Sequence, residues 1–156
     1  MSTAADYAGR TIDVSAFTGQ RPAGDTRLVA ALADEGQGGL AVTGVVKLAQ
    51  RWLMEFMTIR GSIPALPERG CDFYGQLARG ELRTDLDASQ AFYLSADQAK
   101  TNLVREETVE DPDDESYADV TLLGATVVAG NLTLRVKIDS RAGSSRTAIL
   151  PLAIKG

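Results

Sequence analysis

Val42, Val45, Val46, Ala49, Trp52, Leu53, Phe56 and Met57 recur at intervals of three and four, and this spacing constrains the chain more than any other feature. Apolar residues at that interval share one face of a helix, and a face that broad must be covered. Lys47, Gln50, Arg51 and Glu55 lie off the stripe, while Leu48 and Met54 widen it. Thr43 can cap the first turn, Gly61 follows Arg60 as a stop, and Pro64 forbids much continuation. The pattern predicts a helix from Thr43 or Gly44 to Ile59. Its face could serve a cofactor or a lipid surface, but packing into a core accounts for it without either.

The last third of the chain reads as strands. Ala118 to Ala129 is rich in β-branched residues, with Gly124 marking a bulge, and Gly130-Asn131 is a two-residue hairpin signal. Leu132, Leu134, Val136 and Ile138 then alternate with Thr133, Arg135, Lys137 and Asp139, as in a strand with one wet face. Ser140 to Ser145 is a loop, and Arg146 to Ile154 makes a third strand with Ala148, Leu150, Leu152 and Ile154 inward. Pro151 cannot donate to a ladder, which places this strand at an edge.

Between the long helix and these strands, the prolines and glycines of Gly61 to Gly70 predict a rigid, extended connection. Asp72 suits the cap of a short helix ending at Gly80, and Asp85 and Asp87 suit another start. Ser95-Ala96-Asp97-Gln98 has the capping-box pattern, predicting a new helix to about Glu107 with Ala96, Ala99 and Leu103 on its stripe. The acidic run Glu110 to Glu115 invites a calcium reading, but it lacks the turn glycine and closing glutamate of an EF-hand and reads as a solvated loop. Near the start, Ile12, Val14 and Ala16 predict a short strand within Thr11 to Thr18. Residues 19–25 and 36–39 read as turns, and Arg27 to Ala33 leans towards strand. Strands, helices, then strands make an α+β fold: a central amphipathic helix plus shorter helices on a small antiparallel or mixed sheet, with a C-terminal β-meander.

A length of 156 residues fits a single domain, 1–156, with a flexible start at 1–10, an N-terminal strand-and-loop region at 11–41 and a core at 42–156. Sixteen basic and 21 acidic residues give a net charge of −5, with the basic ones scattered, so nucleic-acid binding is unsupported. Histidine is absent, which excludes Ser-His-Asp and Cys-His catalysis and imidazole metal sites. The single cysteine, Cys71, permits no intramolecular disulfide or Cys-rich zinc site, and reads as a small buried hydrophobe. No signal peptide is evident, and no apolar run approaches the ~20 residues of a membrane span. The expected setting is a reducing cytoplasm or a particle assembled there.

An enzyme built from this chain would rest on carboxylates. Glu55 and Glu68 are the acids embedded in apolar or rigid sequence, but no spacing pairs them, and both read as surface residues. Phosphate loops, dinucleotide fingerprints and nucleophile elbows are missing, so neither an enzyme nor a cofactor is expected. What remains is association. A sheet edge presents unpaired N–H and C=O groups that another chain's strand can join, unless proline and charge blunt it, and the pattern leaves both readings open.

Lys47 to Leu77 carries a more specific signal. Gln50 in the helix, the Thr58-Ile59-Arg60-Gly61 stop, Ile63-Pro64 with Leu66-Pro67, and Gly70 followed by Phe73 together resemble the baseplate-wedge, or tail-sheath-initiator, family of contractile bacteriophage tails. The likeness extends over Val42 to Ile154, although Arg105-Glu106-Glu107 stands where the family carries Glu-Pro-Arg. The resemblance implies a structural virion protein of the tail baseplate, in a sixfold ring around the tail tube, that starts sheath assembly by accepting strands from the first sheath ring. Its partners would be the sheath, baseplate-wedge and tube proteins, with no membrane or nucleic acid. Applied to this chain, it implies an accepting surface on Val120, Leu122, Thr126, Val128, Leu132, Leu134, Val136, Ile138, Ala148, Leu150, Leu152 and Ile154. Pro64, Pro67, Arg69 and Gly70 would touch wedge or tube. Another tail assembly factor (a terminator or tube-associated adaptor) and a muralytic enzyme are the alternatives.

Overall fold

The computed structural model describes residues 13–14 and 41–154. Strands β1 (Asp13–Val14) and β2 (Ala41–Val42) pair antiparallel ahead of helix α1 (Gly44–Met57). Helices α2 (Phe73–Ala78) and α3 (Asp85–Glu106) follow, then β3 (Tyr117–Val128), β4 (Asn131–Ser140) and β5 (Ser145–Ala153). The last three strands form one antiparallel sheet in the order β3-β4-β5. The fold is α+β: α3 packs against β3, and α1 against β4 and β5. The expectations for Thr11 to Thr18 other than Asp13 and Val14, for residues 1–10, 19–25 and 36–39, and for Arg27 to Ala33 lie outside the described residues. No described helix is long and apolar enough to cross a membrane.

Most of the helical stripe is covered as its spacing requires, but Val46 is exposed, and Lys47, Gln50 and Glu55, expected off the stripe, are buried. Leu48, Ala49, Trp52, Leu53 and Phe56 are buried, and Trp52 stacks on Phe56 with ring centroids 4.7 Å apart. Phe73 and Phe92 close on Phe56 at 4.7 and 5.4 Å, joining all three helices through one aromatic cluster. Trp52 Nε1 is buried without a hydrogen-bond partner, a cost of about 1–3 kcal/mol. Two corrections concern the ends of α1. Thr43 sits at the N-cap but makes no side-chain cap; the Gly44 N–H instead donates to Glu115 Oε1 at 3.0 Å. The helix ends at Met57, short of Ile59, because Thr58 turns extended.

A larger correction concerns α3. The two helices expected around Asp85 and Ser95 are one helix of 22 residues, longer than α1. Its capping box lies at Thr84 and Asp87: the Asp87 N–H donates to Thr84 Oγ1, and the Thr84 N–H to Asp87 Oδ2. Ser95 lies mid-helix and buried, on a face it shares with Ala88, Ala91, Phe92, Ala99 and Leu103. The motif at Ser95 is a coincidence of composition, because the neighbouring turns bury a continuous stripe.

Within the sheet, Leu132, Leu134, Val136 and Ile138 are fully buried, as the alternation of β4 predicts. Leu150 is buried, with Ala148, Leu152 and Ile154 packed beside it. In β3 the register shifts between Leu122 and Gly124, the bulge expected from Gly124. One extra residue reverses the alternation beyond it. Val120 and Leu122 face the core before the bulge, and Ala125 and Val127 after it, so Thr126 and Val128 point outward.

The β3–β4 turn is displaced by one residue from Gly130-Asn131. Val128 pairs with Asn131, leaving Ala129 and Gly130 as the turn, with φ of 49° and 76°. Two left-handed residues make this a type I′ turn, which suits glycine and strains alanine. Replacing Ala129 with asparagine, which suits this conformation, should therefore raise stability by about 1 kcal/mol. Urea denaturation of Ala129→Asn against the parent chain measures it; an unchanged midpoint contradicts the turn assignment.

Candidate functional site

Two regions correspond to the expected contacts: the sheet edges, and the segment between α1 and α2. β4 lies between β3 and β5 and pairs with both along its length. Its backbone is fully used, and its apolar side chains are buried. Leu132, Leu134, Val136 and Ile138 therefore cannot accept another strand, which corrects their assignment to the accepting surface. Within this sheet, among the described residues, the outer edges of β3 and β5 remain.

The edges differ. The Val127 N–H donates to Asp85 Oδ1 at 2.6 Å, and the Tyr117 N–H to Glu107 Oε1 at 2.5 Å. Both carboxylates come from the ends of α3, which thus closes the two ends of the β3 edge. Glu107 is held in turn by Arg141, whose Nη2 lies 2.6 Å from Glu107 Oε2. On β5, the Ile154 N–H donates to Gly130 O at 2.8 Å, and the Ser140 N–H to Ser144 O at 2.9 Å. These bonds set the phase of the antiparallel ladder, so even-numbered residues of β5 point their backbone groups at β4 and odd-numbered ones point outward. The N–H groups of Thr147, Ile149 and Ala153 accordingly line the outer edge. Pro151, opposite Thr133, interrupts them without disturbing the ladder. Ala148, Leu150, Leu152 and Ile154 turn their side chains inward, so this edge offers the backbone of the residues between them.

The segment from Thr58 to Cys71 is a run of turns rather than the extended connection expected. Ser62, Leu66 and Arg69 N–H groups donate to Ile59, Ile63 and Leu66 carbonyls at 3.0, 3.0 and 3.1 Å. Its base is closed where the Cys71 N–H donates to Thr58 O at 2.9 Å, and the Arg60 N–H to Cys71 O at 3.2 Å. Gly70 has φ +84°, and a Cβ there would lie 2.3 Å from Thr58 O, so only glycine fits. Pro64 and Pro67 are exposed at the tip, with Ile63 and Leu66. Gly70 is buried and Arg69 turns inward, so these two hold the segment rather than present a contact.

What holds it is Glu55. Its carboxylate, 2% exposed, accepts the Gly70 N–H at 2.6 Å and Asn102 Nδ2 at 2.5 Å, and pairs with Arg69 Nε at 2.8 Å. Asn102 Nδ2 also reaches the Glu68 and Gly70 carbonyls, and Arg69 Nη1 pairs with Glu106. Glu55 is thus no surface residue, contrary to expectation, and the donors around it occupy the faces a substrate would need. Glu68 enters this network through its backbone carbonyl. Sequence reasoning missed Asn102, although a lone amide on the apolar stripe of α3 was a signal.

The acidic run is a loop, but its last member is not solvated. Glu115 is buried, capping α1 with one oxygen and pairing with Lys47 Nζ at 2.7 Å through the other. Among the described residues, no three acidic or cysteine side chains gather as a metal site would require. Cys71 is fully buried, its thiol donates to Phe56 O at 3.0 Å, and burial pushes its pKa up to about 11. The folded chain favours the neutral thiol, an advantage complete below pH 9.0 and lost as the pH rises towards 11. Compared with known proteins, the chain matches no family model and no curated protein.

The Glu55 network makes a direct prediction. Glu55→Gln loses the charge and turns one acceptor into a donor facing N–H groups, so it should cost about 3 kcal/mol in urea denaturation. A cost below about 0.5 kcal/mol would be that of an uninvolved surface residue. Iodoacetamide at pH 8 should leave Cys71 unmodified in the folded chain and alkylate it after unfolding, as peptide mass spectrometry reads.

Proposed function

We propose that this chain is a structural component of a contractile bacteriophage tail, placed at the baseplate, where it initiates the sheath by accepting a strand at the outer edge of β5. One observation carries the choice of edge: residues at the ends of α3 accept the Val127 and Tyr117 N–H groups of β3, whereas the N–H groups that Thr147, Ile149 and Ala153 point outward from β5 meet no acceptor among the described residues. Backbone pairing supplies affinity that is insensitive to side-chain detail, which suits a mesh that must survive contraction. The motif from Lys47 to Leu77, resembling tail-sheath initiators, supports the setting. The exposed tip at Pro64 and Pro67, held stiff by Glu55 and Gly70, is the contact offered to wedge or tube proteins. A muralytic role finds less support, since Glu55 is committed to holding the chain.

The test is proline at an outward-facing position. Ile149→Pro removes one edge N–H and leaves the ladder to β4 intact, so the chain should remain folded by circular dichroism while extended sheath no longer assembles on it. Normal sheath assembly on the folded variant would show that β5 is not the acceptor. A cryo-electron-microscopy reconstruction of the extended tail should then show six copies around the tube, each with a sheath strand beside β5. A position at the head-proximal end would favour the terminator alternative.

A further inference from the structure

We propose that the hollow between α2 and the end of β5 is a socket for one aliphatic side chain, carried on the strand that β5 accepts. This rests on the reading of β5 as the accepting edge and adds what that strand must contain. The hollow is about 280 Å³ and is lined by Tyr74, Leu77 and Ala78 from α2 and by Ala153 and Ile154 at the end of β5. Among the described residues, no charged side chain lines it. The Ile154 N–H is held by Gly130 O at 2.8 Å and the Gly80 N–H by Leu77 O at 3.0 Å, while the outward Ala153 N–H would be taken by the backbone of the added strand rather than by its side chain. A polar or charged occupant would lose its water and gain little in return, whereas an apolar one would gain from burial.

Position identifies the occupant. A strand added to β5 runs about 4.8 Å beside it, and its alternate side chains fall on the face that Leu152 and Ile154 share. At the Ala153 end that face looks onto α2, where Tyr74 is partly exposed and Ile59 lies close to Gly75. Along the rest of the edge the added strand meets mainly backbone and tolerates many sequences. At the hollow it meets a shaped apolar wall, so this single position sets which strand fits and in which register.

The test fuses a threonine-rich strand after Gly156 of the full chain through a flexible Gly/Ser linker, which holds the probe near millimolar effective concentration. One leucine is moved along the strand a position at a time, with aspartate at the same positions as comparison. The readout is amide hydrogen exchange at Thr147, Ile149 and Ala153. Pairing should slow exchange at all three about tenfold, and leucine at one position should slow it about tenfold more than aspartate there. Ala78→Glu, at an exposed position, should abolish that leucine advantage while leaving the basal protection. Tyr74→Ala, which removes one wall, is the second variant and should at least halve the advantage. Protection that ignores the guest residue at every position, or a leucine advantage that survives both variants, overturns the socket and leaves strand acceptance standing. No protection with any probe overturns strand acceptance itself.

Discussion

The packing of β4 on the helices is the constraint from which the rest follows. Four alternate residues of one strand, Leu132, Leu134, Val136 and Ile138, lose all contact with solvent. Water must be excluded from one face of the sheet only, since the facing residues Thr133, Arg135, Lys137 and Asp139 remain polar. The apolar face of this three-stranded sheet must be buried against another element, and the helices cover it. The aromatic cluster of Trp52, Phe56, Phe73 and Phe92 supplies that cover and ties the three helices to one another. Placing β4 centrally also leaves β3 and β5 as the strands of this sheet with one side unpaired within it.

Two buried carboxylates then orient what the apolar core leaves loose. Glu115 brings the loop before β3 to the N-terminus of α1, and Glu55 brings the turn segment and α3 to its other end. A buried charge is costly unless it is paired and hydrogen-bonded, and each of these has backbone and side-chain donors. Their contribution is positional. Hydrophobic burial is nearly indifferent to a shift of one turn, whereas a carboxylate that must meet one particular N–H group is not. The same device operates at the sheet margin, where Asp85 and Glu107 occupy edge donors of β3 and so leave the two edges of one sheet chemically unequal.

Much of the secondary structure was legible because it depends on near neighbours. The stripe from Val45 to Met57 and the alternation from Leu132 to Ile138 each repeat often enough for their period to outweigh any single residue. Local punctuation was less dependable. Ser95 to Gln98 carries a cap pattern inside a continuous helix, since a capping box acts only where a helix begins, and tertiary burial of Ala88, Ala91, Ala99 and Leu103 keeps this helix unbroken. Gly124 is recognisable as a bulge, but the outward turn of Thr126 and Val128 is not a local property, because one inserted residue acts on every later side chain in the strand. The candidate site was less legible than the fold. Pro64 and Pro67 lie exposed as expected, while Arg69 and Gly70 proved to be supports.

By itself the sequence determined the class of fold, the amphipathic helix, the meander and the buried Cys71, along with the absence of histidine from any chemistry. Those properties follow from composition and from periods of two and 3.6 residues, which are short-range quantities. Only the tertiary structure decided that β4 is central, that Glu55 and Glu115 are buried anchors, and that α3 takes two edge donors of β3 while, among the described residues, nothing takes those of β5. Each of these depends on pairs far apart in the chain, such as Asp85 with Val127 and Glu55 with Asn102. No local pattern encodes such a pair, because the energy that selects it appears only once folding has excluded water from between its partners.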